Sequence, residues 1–308
     1  MIDAVERRGT ALFEMFRRRG SNTQSGSRDN IHHHYDVGNA FYKLWLDREL
    51  AYTCAYFPTP DASLEAAQIA KMDHICKKLR LRMGETVVEA GCGWGALALH
   101  MAKHYGVNVR AYNISREQLA YARERSRQEG LTGRVEFVED DYRDISGSYD
   151  AFVSVGMLEH VGRENYGALS QVIDRVLTPA GRGLIHSIGL NRPAPLNPWI
   201  EKRIFPGAQP PSIRDMMQIF EIDSFAVLDV ENLRQHYALT LAHWLKRFEA
   251  ASGQIKDMYD ERFVRMWRVY LSGSEAAFRA GSLQLFQVLF AREHCHDLAW
   301  TRAHLYQA

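Results

Sequence analysis

The stretch Val87-Val88-Glu89-Ala90-Gly91-Cys92-Gly93-Trp94-Gly95 constrains this chain more than any other. An apolar strand runs into a glycine-rich turn, and the small and apolar residues of 96–105 read as the helix that follows. Glycines at 91, 93 and 95 permit a tight turn and let a ligand approach the backbone closely. A phosphate-binding loop would carry a lysine and a serine or threonine after its last glycine. Ala96-Leu97 supplies neither, and the G-x-G-x-G spacing departs from the G-x-G-x-x-G of dinucleotide folds. Glu89, at the strand end, suits a cationic ligand better than a pyrophosphate. S-adenosylmethionine, with its ammonium and sulfonium, fits that description.

The middle of the chain alternates apolar runs with helical ones. The patterns predict strands at Thr86–Ala90, Val107–Asn113, Val135–Val138, Ala151–Val155, Gly183–Ser187, Ala226–Glu231 and Leu283–Phe290. Helices fall between them, notably Ala96–Tyr105, Arg116–Glu129 and Asn165–Val176. Such alternation implies an α/β fold, a mostly parallel sheet with helices on both faces. Ligands of these folds bind outside the carboxyl ends of the strands. Glu89, Asn113, Asp141 and Glu159 all stand at or just past such ends. Trp199–Ser212, with prolines at 206, 210 and 211, reads as a long inserted loop able to close over a site. His236-Tyr237 begins a helix, and 259–281 continues a helical insertion at about 191–280.

Composition excludes several classes. The formal net charge of +1 over 308 residues carries no nucleic-acid signature. Cys54, Cys76, Cys92 and Cys295 have no metal-ligand spacing, so no metal is expected, and they read as reduced thiols of a cytoplasmic protein. No run of about 18 apolar residues is present to span a membrane. Residues 1–20 mix Leu12, Phe13, Met15 and Phe16 with Arg7, Arg8, Arg17, Arg18 and Arg19. This reads as a basic amphipathic helix, suited either to an anionic membrane surface or to ordinary packing with a solvated basic face. Residues 20–29 read as a linker. The organisation expected is therefore a basic segment and linker over 1–29 and a catalytic domain over 30–308.

Taken together, HYDVGNAFYKLWLD (34–47), YTCAYF (52–57), LEAAQIAK (64–71), VVEAGCGWG (87–95), SVGMLEHVG (154–162), WIEKRIFPG (199–207), HYALTL (236–241) and FRAGSLQLFQV (278–288) resemble the cyclopropane-fatty-acyl-phospholipid synthase and mycolic acid cyclopropane synthase family. The resemblance covers residues 30 to about 292. It implies a Rossmann-like class I methyltransferase fold with a seven-stranded sheet and a helical insertion or lid. Longer members carry an extra N-terminal domain, whereas here only 1–29 precede the matching region, so dimerisation through such a domain is in question. Thr53 stands where members often have serine and keeps the hydroxyl.

The family pattern implies a cofactor site at Tyr52, Thr53, Glu89, Gly91, Gly93, Trp94, Gly95, Asn113, Ile114, Gln118, Asp141 and Tyr142. Asn113 and Gln118 would serve the ribose, Asp141 and Tyr142 the adenine. It further implies that Cys54, Glu159, His186, Ile188 and Tyr237 surround a bicarbonate ion, with Cys54 and Ile188 contributing mainly backbone groups. His160 would only pack or cap. Tyr35, Phe41, Tyr56, Phe205 and Tyr270 are candidates to stabilise a cation on the substrate. The implied reaction adds a methylene to the cis double bond of an unsaturated phospholipid acyl chain, in contact with the inner face of the membrane. An exomethylene or methyl-branched product, an amine N-methyltransferase and an inert lipid-surface binder are the other readings.

Overall fold

The apolar runs form a single sheet of seven strands. The computed structural model describes residues 38–223 and 225–306. The strands are β1 (Thr86–Ala90), β2 (Asn108–Asn113), β3 (Val135–Glu139), β4 (Tyr149–Val155), β5 (Leu177–Gly189), β6 (Phe225–Asn232) and β7 (Gln284–Arg292). Their order is β3-β2-β1-β4-β5-β7-β6. The run from β3 to β5 is parallel, whereas β7 lies antiparallel between β5 and β6. The chain leaves β1 toward one side of the sheet and β4 toward the other. A crevice therefore opens between their carboxyl ends, where the strand order reverses.

The helices are α1 (Asn39–Tyr42), α2 (Leu64–Lys78), α3 (Ala96–Tyr105), α4 (Arg116–Gln128), α5 (Tyr166–Val176), α6 (Pro198–Arg203), α7 (Ile213–Ile222), α8 (Arg234–Ala250), α9 (Ser252–Met258) and α10 (Glu261–Ala280). Short polar side chains set several starts. Ser63, Ser115 and Asp260 accept from the first-turn amides of α2, α4 and α10, and Ser212 with Asp215 forms a full capping box on α7. One sheet face packs on α2, α3 and α4 through Val87, Val109, Ala111 and Val153. The opposite face packs on α5 and α7 through Val88, Phe152 and Phe290. Another core, rich in aromatic rings, joins α1, the 50–57 segment, α8 and α10, and includes Trp94 of the glycine turn.

Two elements differ from the sequence reading. The stretch at about 191–280 contains α6 to α10, but it also contributes β6, whose pairing with β7 places it at the sheet edge. Trp199 does not open a loop: Asn197 caps α6 by accepting from the Trp199 and Ile200 amides, and Pro198 occupies its first turn. The basic segment and linker over 1–29 lie outside the described residues.

Candidate active site

The first layer of the site is the glycine turn. Gly91, Gly93 and Gly95 all have positive φ, at 84°, 53° and 82°. The Gly91 and Cys92 amides both donate to the Tyr112 carbonyl at 2.9 and 3.0 Å, which ties the turn to β2. Gly95 caps α3 in the left-handed conformation, and a Cβ there would meet the Phe137 ring at 2.7 Å. Above the turn lies a crevice of about 130 Å³. Of the residues expected at the cofactor, Tyr52, Thr53, Glu89, Gly91, Gly93, Trp94, Asn113 and Gln118 line it. Gly95, Ile114, Asp141 and Tyr142 do not. Gly95 instead shapes the turn, and Asp141 caps the short helical turn at Tyr142–Asp144 by accepting from the Arg143 amide at 3.0 Å. Asn113 Nδ2 donates to the Gly93 carbonyl (3.1 Å) and to Gln118 Oε1 (2.8 Å). The amide therefore braces the turn as well as facing the ligand space.

A lysine that the sequence reading missed organises the floor. Leu64, Ala67, Gln68 and Lys71 follow the i, i+3, i+4, i+7 stripe of α2 and are all buried. Two polar residues on a core stripe were the available signal. Gln68 Nε2 donates to the Ala51 and Thr53 carbonyls, each at 3.0 Å. Lys71 Nζ donates to Thr53 Oγ1 at 2.8 Å. Burial lowers the Lys71 pKa, while Asp47, Cys54 and Glu89 hold it up. Desolvation pushes Glu89 up to about 8 against the pull of Lys71, and its Oε2 has no partner among the described residues. Asp47, pushed up to about 6 by burial, fixes the following turn by accepting from the Glu49 and Ala51 amides.

A larger cavity of about 590 Å³ adjoins the crevice. Its wall is mostly apolar, including Leu190, Ile200, Leu241, Phe278 and Leu283. Tyr52, Thr53, Gly156 and His160 line both spaces. Gly156 is needed there: a Cβ would sit 2.9 Å from the Thr53 methyl. His160, held down to about 4 by burial, is a neutral wall residue with its ring 5.9 Å from that of Phe205. Glu159, Ile188 and Tyr237 line the larger cavity. Glu159 Oε1 accepts from the Ile188 amide at 2.5 Å, while Oε2 has no partner among the described residues. Desolvation raises this carboxyl to about 7. The glycine-turn crevice thus shares lining residues with a larger, mostly apolar chamber that holds one partly protonated acid.

Residues 22–288 match the profile described as mycolic acid cyclopropane synthetase. The chain belongs to that family. It is 46% identical over 261 residues to the cyclopropane-fatty-acyl-phospholipid synthase of Escherichia coli K12, covering 84% of this chain and 66% of that protein. A probable fatty acid methyltransferase of Pseudomonas putida is 39% identical over 300 residues, covering 94% of this chain and 76% of its own. The solved mycolic acid cyclopropane synthase CmaA1, complexed with SAH and CTAB, aligns with a TM-score of 0.82 at 30% identity, covering 86% and 98% of the two chains. The chain thus spans about two thirds of the E. coli relative's length. Members of the mycolic acid cyclopropane synthetase family to which it belongs are S-adenosylmethionine-dependent methyltransferases of class I fold, and so is this protein.

Not every residue the family pattern points to reaches a cavity surface. Cys54 and His186 lie behind the wall. The Cys54 thiol turns to the carbonyls of Ala55 (3.2 Å) and Leu233 (3.9 Å). Gln287 Nε2 donates to His186 Nδ1 at 3.1 Å, and burial keeps the ring neutral by holding its pKa well below the usual range. Its Nε2 has no partner among the described residues. Strand alternation puts His186 on the same face of β5 as Ile188. Of the candidate aromatic residues, Phe205 and Tyr270 line the larger cavity. Tyr52 and Tyr270 join their hydroxyls at 2.8 Å. Phe41 sits in the aromatic core, and Tyr56 is stacked between His74 and His236 at 4.2 and 4.8 Å. Tyr35 lies outside the described residues.

Proposed function

We propose that this chain adds a methylene to the cis double bond of an unsaturated phospholipid acyl chain, giving a cyclopropane ring. The observation that carries the reading is the shared wall. Tyr52, Thr53, Gly156 and His160 border both the glycine-turn crevice and the apolar chamber, so the two reactants would meet there. The names of the similar proteins, a cyclopropane-fatty-acyl-phospholipid synthase and a probable fatty acid methyltransferase, support the substrate class.

Bound S-adenosylmethionine would supply an electrophilic methyl on sulfur. The orphaned Glu89 oxygen fits its ammonium, and the Asn113–Gln118 amides fit its ribose hydroxyls. Where the two spaces adjoin, the alkene π electrons would form a bond to that methyl carbon as the carbon–sulfur pair left with sulfur. The acyl chain is left positively charged. Phe205 and Tyr270 line the chamber, and an aromatic face turned to such a charge stabilises it by roughly 0.5–2 kcal/mol. The apolar wall excludes water that would otherwise trap it. Loss of a proton from the added carbon closes the ring.

Bicarbonate would supply the oxyanion base for that proton. The orphaned Glu159 oxygen suits it: near neutral pH this carboxyl is partly protonated and can donate to an anion. The unpartnered His186 Nε2, reached through the wall, and the Tyr237 hydroxyl would complete the donor set, with the Ile188 amide holding Glu159 Oε1 in place and Cys54 behind. Glu159→Gln is expected to lower turnover by at least about 100-fold, the usual scale of a general acid–base contribution, while leaving cofactor binding intact. Assays in carbonate-free buffer should slow and recover on adding bicarbonate; equal rates would remove the ion from the scheme. Mass spectrometry of lipids from expressing cells decides the product. A methylene gain whose fragmentation shows a branch or an exomethylene would favour the fatty-acid C-methyltransferase reading instead.

A further inference from the structure

Trp199 on α6 and Val269 on α10 line the larger cavity, yet they are 37% and 54% exposed. A residue that both lines a cavity and faces outside marks where its wall reaches the surface. The charges around these two residues are one-sided. At about 100° per residue, Lys202 and Arg203 lie within about 60° of Trp199 around α6, and Glu201 points to the opposite side. On α10, Arg265 and Arg262 lie within about 40° of Val269, one and two turns back, and Gly273 lies one turn on. The acids of α10 are turned away and engaged: Glu261 pairs with Lys256 and Glu275 with Arg279. Lys202, Arg203, Arg262 and Arg265 are exposed and, among the described residues, form no ion pair. Two helices that line one cavity therefore each present an exposed apolar residue flanked by a pair of free cations.

We propose that this rim, the α6 face around Trp199 and the α10 face around Val269, docks on a bilayer containing anionic phospholipid. The inference rests on the acyl-lipid reading above and adds the surface by which the lipid reaches the chamber. Exposed apolar side chains ringed by cations match the two layers of a membrane surface. Trp199 and Val269 enter the acyl boundary, and the basic groups remain at the phosphates. Tryptophan favours that interface. An acyl chain can then slide into the cavity without crossing water. An acidic protein would use the cations but gain less from the two apolar residues, which is why a lipid surface is the better match.

The test uses the full chain and the variant Lys202→Gln/Arg203→Gln/Arg262→Gln/Arg265→Gln. None of these side chains lines either cavity. Thermal melting and affinity for S-adenosylhomocysteine check that the variant folds. Flotation with vesicles of phosphatidylglycerol and unsaturated phosphatidylcholine should show a partition coefficient about fivefold lower per neutralised charge. Raised salt should mimic the effect in the unaltered chain. Turnover of the vesicle lipid should fall in step, whereas turnover of the same lipid dispersed in detergent should not change. Trp199→Ser should weaken vesicle binding even in high salt. Equal flotation of variant and unaltered chain would overturn the docking face. Unchanged flotation with lost turnover of an acyl chain carried on an acidic protein would reassign the rim to that partner. If the unaltered chain alkylates no lipid in any form, the acyl-lipid reading fails, and flotation still reports on the rim.

Discussion

Glu89 and Glu159 are buried carboxyls, each with one oxygen unpartnered among the described residues. Both titrate above the ordinary range near 4.5, at about 8 and about 7. The folded chain therefore holds protons that the unfolded chain releases. Their stabilising contribution is complete below about 4.5 and disappears as pH rises through about 7 and then about 8. The ligand-free protein should melt progressively lower between about pH 4.5 and 8, a loss on the order of a few kcal/mol, and Glu89→Gln should reduce that slope, leaving the share due to Glu159. A cationic ligand beside Glu89 favours its ionised form, so binding of S-adenosylmethionine near pH 7 should expel protons. Calorimetry in buffers of different ionisation enthalpy reads this directly, and Glu89→Gln should abolish the buffer dependence. At this scale the sequence was legible where chemistry-bearing residues stand at strand ends, as Glu89, Asn113 and Glu159 do. It was less legible for Lys71, whose partner Thr53 is distant along the chain, and for Asp141, whose capping role depends on a local turn. The depth of His186 behind the wall follows from its cross-strand pairing with Gln287, which no motif encodes.

At the scale of elements, apolar runs located every strand: burial between helix layers leaves few polar residues in β1 and β4, whereas β6, largely exposed at the sheet edge, was found by its run over 225–230. The ends were harder. β5 begins at Leu177, ahead of the predicted Gly183, and carries Pro179 and Gly181 in its irregular first half. Local propensity speaks against a strand there, and pairing with β4 overrides it. α6 was read as loop because prolines crowd the following residues, although Asn197-Pro198 is a good helix start. The glycine turn is the element with least tolerance. Gly95 combines a φ of 82° with a Cβ position 2.7 Å from the Phe137 ring and 2.9 Å from Ala122. Gly95→Ala should cost about 1–3 kcal/mol from overpacking, plus the strain of a left-handed alanine. A lowered denaturation midpoint together with weakened cofactor binding would show it, and a neutral result would mean that α3 can shift away from β3.

The whole molecule divides its labour between a sheet flanked by two cores and an aromatic core over the glycine turn. Sequence patterns found the first part. The chamber arises from contacts among α6, α8, α10 and the 190–197 segment, so its extent is a property of the assembled fold. Gly273 gives a handle on it: it lines the chamber, and a Cβ there would meet nothing within 4 Å. Gly273→Ala should raise stability by about 0.5–1 kcal/mol through helix propensity. Gly273→Phe should obstruct the chamber, slowing turnover of long acyl chains while cofactor affinity and melting temperature hold. Equal rates for both variants across chain lengths would show that acyl chains take another route.

Tyr52, Thr53, Gly156 and His160 border both spaces, so the same four residues touch both occupants. Neither occupant can then be indifferent to the other: filling one compartment stiffens the screen that the other compartment presents. Saturation by nucleoside and by lipid should be synergistic, and departure of the spent nucleoside should depend on whether the alkylated chain has already withdrawn.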